Sequence, residues 1–72
     1  MKENELKVGD LIQVRQSHHN FWTMYKSPPL IRLDTVGIIV KKYNYRLNVL
    51  INNQILSYPE SIISNVLTKL NK

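Results

Sequence analysis

The chain has no cysteine among its 72 residues, and it carries one tryptophan and one phenylalanine. Lack of cysteine removes disulfide staples, thiolate metal sites and thiol nucleophiles together. Acidic residues are also scarce. Glu3, Glu5, Asp10, Asp34 and Glu60 are the whole set, against ten lysines and arginines, for a formal charge of +5. No apolar run approaches the roughly 20 residues that span a bilayer. The opening MKENELK is charged where a secretory leader would turn apolar. The expectation is a cytoplasmic protein without a membrane partner.

Apolar residues make up 43% of the sequence, enough to build a packed core, so an ordered single domain spanning residues 1–72 is expected. The basic balance favours polyanionic partners, although lysine-rich surfaces serve solubility equally well.

The clearest local signal is LNVLINNQILSYP, residues 47–59. Asn52 and Asn53 suit the two central positions of a type I′ turn, where both residues need positive φ. Pairing outward sets Ile51 against Gln54, Leu50 against Ile55, Val49 against Leu56, Asn48 against Ser57 and Leu47 against Tyr58. Leu47, Val49, Ile51, Leu56 and Tyr58 then share one face by the two-residue strand period. Leu50 and Ile55 interrupt the polarity of the other face, which predicts that part of that face is covered too. Pro59, with no N–H to donate, ends the ladder.

Elsewhere, Met1 to Leu6 reads as a polar lead-in and Lys7-Val8-Gly9-Asp10 as a turn. Leu11 to Arg15 is a first strand with Ile12 and Val14 inward. Residues 16–35 hold both histidines, Phe21, Trp22, Tyr25 and the Pro28-Pro29 pair without sustained periodicity. Loops of this length are functional or contain short elements, and Leu30 to Leu33 is a candidate strand. TVGIIVKKY, residues 35–43, is the strongest strand, with Val36, Ile38 and Val40 on one face and Gly37 at a bend or close approach. Tyr43 to Arg46 turns into the hairpin. Glu60-Ser61-Ile62 fits a 3-10 turn. Asn65 to Leu70 reads as a closing strand, with the end of a short helix from Ser61 as the alternative.

Short strands, a long first loop, a two-residue hairpin and a 3-10 turn before the last strand predict an all-β fold, a small SH3-like barrel of about five strands with residues 16–35 as a loop insertion. Val8-Gly9-Asp10-Leu11-Ile12, Gly37-Ile38-Ile39-Val40, Val49-Leu50-Ile51 and Tyr58-Pro59-Glu60-Ser61 resemble the small uncharacterised SH3-like proteins of tailed bacteriophages. Two departures are Asn52-Asn53, where that family commonly has Asp-Gly, and aliphatic residues such as Ile51 at its aromatic strand positions. Gly37-Ile38-Ile39-Val40 followed by Lys41-Lys42 also resembles KOW-type barrels. These resemblances imply a phage protein residing in the host cytoplasm or the virion. Fold alone does not assign an activity.

Two clusters are candidate sites. Phe21, Trp22, Met24 and Tyr25 lie in the long loop, and in SH3-like barrels the corresponding loop often borders the ligand groove. Trp and Tyr also dominate interaction hot spots. The alternative is that these rings fold back and cap the barrel. Lys41, Lys42, Tyr43, Tyr45 and Arg46 place three cations and two rings around one turn, suited to phosphates and stacked bases. The alternative there is a solvated hairpin end. Lys7, Arg15, Lys26 and Arg32 are candidates to extend the basic surface.

His18 and His19 are adjacent, so their side chains do not converge on one metal, and zinc would need further ligands from the few acids. They read as structural or surface residues. No serine sits in a nucleophile motif, and Asp34 and Glu60 have no acid–base spacing. The sequence therefore predicts a non-enzymatic module with no cofactor and no metal, binding a host or virion protein through the loop aromatics. The alternative partner is nucleic acid at the basic turn. A homo-oligomer is compatible with either.

Overall fold

A computed structural model describes residues 6–22 and 27–70. The described chain is all-β with one short helix. Its strands are β1 (Leu11–Val14), β2 (His18–His19), β3 (Leu30–Ile31), β4 (Val36–Lys42), β5 (Arg46–Ile51), β6 (Gln54–Pro59) and β7 (Leu67–Lys69), with helix α1 (Glu60–Val66) between β6 and β7. Five strands form an antiparallel sheet in the order β6-β5-β4-β1-β7, and β2 and β3 form a separate two-stranded ribbon. No ladder joins β6 to β7 among the described residues, so the sheet remains open between them. No described helix is long and apolar enough to cross a membrane.

The hairpin follows from its two asparagines. Asn52 and Asn53 take φ of 54° and 63°, the left-handed pair a type I′ turn requires. Every cross-strand pair from Ile51–Gln54 to Leu47–Tyr58 forms as the spacing predicts, and Arg46–Pro59 extends the ladder by one. Leu47, Val49, Ile51, Leu56 and Tyr58 are all buried. Ile12 and Val14 join them from β1 and Ile39 from β4.

Val36, Ile38 and Val40 share a face, but it is the outward one. Gly37 and Ile39 point in, because the β1–β4 register sets Gly37 opposite Ile12. Gly37 marks a close approach: a Cβ built there would lie 2.5 Å from Ile51 Cγ1 and 2.8 Å from the Leu50 carbonyl oxygen. Leu50 and Ile55 also face outward and stay exposed, so the cover predicted for that face is not supplied by the described chain.

The segment after Pro59 differs from the predicted 3-10 turn, and the predicted closing strand forms over a shorter span. Glu60–Val66 is an α-helix of seven residues, and the last strand begins at Leu67. Extended Pro59 caps the helix start and acidic Glu60 occupies its first turn, where the helix dipole favours negative charge. Ile63 and Val66, three residues apart, both reach the core. Arg15 satisfies the helix end, its N–H donating to the Val66 carbonyl at 2.7 Å and its guanidinium to the Ser64 carbonyl at 2.6 Å. The closing strand expected over Asn65 to Leu70 forms as Leu67–Lys69, paired with β1, while Asn65 and Val66 belong to the end of the helix, as in the helical alternative.

At the other end of the chain, Leu6 is buried, unlike the polar lead-in the sequence suggested. The Lys7 to Asp10 turn forms as read. Asp10 accepts the Lys7 N–H at 2.9 Å, which with nearby Lys69, 3.4 Å away, holds its carboxyl below the usual value despite some desolvation.

Gly37→Ala should destabilise the fold by about 1–3 kcal/mol, because backbone of β5 would have to shift to admit the methyl. The check is the urea unfolding midpoint at constant m-value.

Candidate functional site

The long first loop is organised by the β2–β3 ribbon, in which His18 pairs with Ile31 and His19 with Leu30. Leu30 to Ile31 is the short strand the sequence suggested. Its partner, the histidine pair, was not foreseen. Ile31 is fully buried, so the ribbon sends one aliphatic side chain into the core. Around it, Asp34 N–H donates to the Val14 carbonyl, Val14 N–H to the Thr35 carbonyl and Leu33 N–H to the Ser17 hydroxyl, tying both loop ends to β1 and to each other.

A polar cluster around Tyr58 fixes the middle of the loop. His18 Nδ1 lies 2.9 Å from the Gln16 carbonyl oxygen, which can only accept, so this nitrogen carries the proton. In the neutral ring Nε2 then accepts the Tyr58 hydroxyl at 2.7 Å. Asn20, buried like Tyr58, donates from its side-chain amide to the Ser57 carbonyl at 3.2 Å, and its backbone N–H reaches the Pro29 carbonyl at 3.0 Å. Burial pushes the Tyr58 hydroxyl up to about 12, partly opposed by a hydrogen bond from Asn20. His18 meets the Tyr58 ring edge-on, with centroids 5.5 Å apart.

Trp22 rests on the same ring, its centroid 6.1 Å from that of Tyr58, and it packs half-buried against the core. It thus caps the end of the sheet while keeping part of its indole in solvent. Phe21, its neighbour, is 71% exposed and approaches the His19 ring at 5.9 Å. The loop is therefore anchored by one aromatic and presents the other. Met24 and Tyr25, together with Lys26, lie outside the described residues.

The basic turn joins β4 to β5. Tyr43 N–H donates to the Arg46 carbonyl and Glu60 N–H to the Tyr45 carbonyl, so the turn is tied to the start of α1. Lys41, Tyr43, Tyr45 and Arg46 are exposed, and Tyr45, at 78%, is more open than Phe21 or Tyr43. The Lys41 ammonium sits 5.8 Å from the Tyr43 ring centroid, within cation–π range. Lys42 differs from the others: its ammonium donates to the Leu6 carbonyl at 2.9 Å. It helps hold the buried Leu6 segment as well as contributing charge.

The two candidate clusters lie towards one end of the β5–β6 ladder. Trp22 packs on Tyr58, whose partner is Leu47, and the next pair along is Pro59 with Arg46 of the basic turn. Among the described residues no group of three or more His, Asp and Glu side chains is placed to hold a metal ion. The residues that sequence reasoning missed are His18, Asn20 and Tyr58 acting together. Only the 40-residue separation of His18 and Tyr58 in the chain hides that contact. Comparison with protein-family models, curated proteins and solved structures finds no match.

Tyr58 makes stability depend on alkaline pH. Its folded-state pKa, about 12, is above the ordinary 10, so the folded protein keeps a proton that the unfolded chain has lost. That contribution is fully present below pH 10 and disappears as pH rises to 12. Tyr58→Phe should cost about 1–3 kcal/mol at neutral pH by stranding His18 and Asn20. It should also flatten the loss of stability above pH 10, which urea titrations at several pH values would read.

Proposed function

We propose that the chain is an SH3-like barrel of the bacteriophage kind that serves as a non-enzymatic interaction module for a host or virion protein, through the face carrying Phe21 and Trp22. The strand order β6-β5-β4-β1-β7, the tight β5–β6 hairpin and the helical turn before the last strand support this reading of the fold. The phage kinship, and with it a place in the host cytoplasm or the virion, rests on the sequence resemblance.

The observation that carries the functional reading is the division of labour between two adjacent aromatics. Trp22 is packed on Tyr58, whereas Phe21 stands largely in solvent on a loop that His18 and Asn20 hold in place. A rigid support for an exposed ring lowers the entropy lost when a partner covers it. An aromatic so displayed is the kind of residue that dominates binding energy.

Nucleic acid at the basic turn is the second reading, favoured by the exposure of Tyr43 and Tyr45 beside Lys41 and Arg46. Rings open to solvent can stack on unpaired bases while the cations meet phosphates.

Phe21→Ala should leave the unfolding midpoint nearly unchanged, within about 0.5 kcal/mol, because the ring is not in the core. Its binding to a partner captured from host extract or virions should weaken by about 1 kcal/mol or more. Retention of the partner by Phe21→Ala at full strength sinks the first reading. For the second, a gel shift with single-stranded DNA or RNA at low salt should vanish in a Lys41→Glu, Arg46→Glu double variant, which leaves the Lys42 contact with Leu6 in place. No shift with the wild-type chain at low salt removes that reading.

A further inference from the structure

We infer that the outward face of the five-stranded sheet is a contact surface for a second copy of this chain. It lies on a different part of the molecule from Phe21 and stands or falls independently of the proposed function.

The face is built by register. Ile38 is opposite Leu11 on β1 and opposite Leu50 on β5, and Leu50 is opposite Ile55 on β6. Leu70 follows β7 and donates its N–H to the Leu11 carbonyl, which continues the row on the other side. Leu70, Leu11, Ile38, Leu50 and Ile55 thus cross all five strands in one line, about 19 Å long at the usual strand spacing. Val36 and Val40 flank the line on β4. Apart from the half-buried Ile38, these residues are 37–51% exposed.

The polar residues beside this stripe are Gln13 and Thr68 on one side and, on the other, Asn48 and Ser57 together with the cation Lys41, which pairs with Asn48. The apolar line itself carries no charge. Lys41 lies in the row next to it and Arg46 further along towards the β4–β5 turn, while Arg15 is bonded to the Ser64 carbonyl at the opposite end.

Two features point to a second copy as the occupant. The first is area. The seven side chains expose about 500 Å² of apolar surface, near the upper end for the largest patch on a monomer. Two such faces together cover about 1,000 Å², and a modest polar rim brings that to the 1,200–2,000 Å² of a stable interface. The second is charge. Two chains of +5 repel each other, and contact is least opposed along a line that carries no cation of its own. An isologous contact uses the same patch twice, so an apolar, charge-poor stripe is complementary to itself. A polyanion, by contrast, gains nothing from it.

Sedimentation equilibrium of the full chain across micromolar to millimolar concentrations tests the inference. The expected result is a concentration-dependent mass rising from 8.5 kDa to twice that value. Added salt should strengthen the association, since it screens the mutual repulsion and favours apolar burial. Leu50→Lys with Ile55→Lys should restore the monomer mass at every concentration, with an unchanged circular dichroism spectrum, while Phe21→Ala should leave the dimer intact. If the lysine variant is not folded, the milder Leu50→Asn should still raise the dimer dissociation constant at least tenfold. A wild-type chain that stays monomeric to about 1 mM, a dimer that dissociates on adding salt, or a dimer that survives in a folded lysine variant overturns the inference.

Discussion

Tyr58 is the residue on which the sheet and the long loop both depend. Its strand position places the ring on the inward face opposite Leu47, and its hydroxyl reaches across to His18. Asn20 and Trp22 then close around the same ring. A buried hydroxyl needs a partner, and here the partners come from a segment of chain that has almost no regular structure of its own. The requirement runs in both directions. The loop satisfies the tyrosine, and the tyrosine gives the loop a fixed point from which Phe21 is displayed.

The rest of the core is conventional packing on a small scale. A chain of 72 residues without disulfides has little apolar surface to bury, so segments that look peripheral are drawn in. Leu6 is covered, with its carbonyl held by Lys42, and Ile31 is carried inward by a two-residue strand. Helix α1 contributes Ile63 and Val66. Arg15 links that helix to β1 through two carbonyl groups, so a cation that seemed part of a basic surface has a structural task.

Against this economy, the outward face is unusual. Of five apolar positions aligned across the sheet, four are left open to solvent and Ile38 is half-buried, although the core is short of apolar material. The apolar line includes none of the residues of the basic turn or the aromatic loop, and Lys41 borders it. The apolar line is thus distinct from the end of the sheet that is rich in rings and cations.

How much of this was legible from residues alone depended on the range of the interaction. The type I′ hairpin, its full register, the inward face of β5 and β6 and the Lys7 to Asp10 turn all follow from neighbours in the chain or from a period of two. Local chemistry decides such features, and the sequence by itself determined them. It also singled out the two candidate clusters, since their members are consecutive. What only the tertiary structure decided is which side of β4 faces the core, that residues 60–66 form an α-helix, that Leu6 and Ile31 are buried, and that His18, Asn20 and Trp22 meet on Tyr58. Each of these depends on a contact between residues far apart in the chain, where neither partner's local pattern encodes the other. The same holds for Leu50 and Ile55. Their alternation marked them as needing cover, but only the folded sheet shows that they join Leu11, Ile38 and Leu70 in one exposed line.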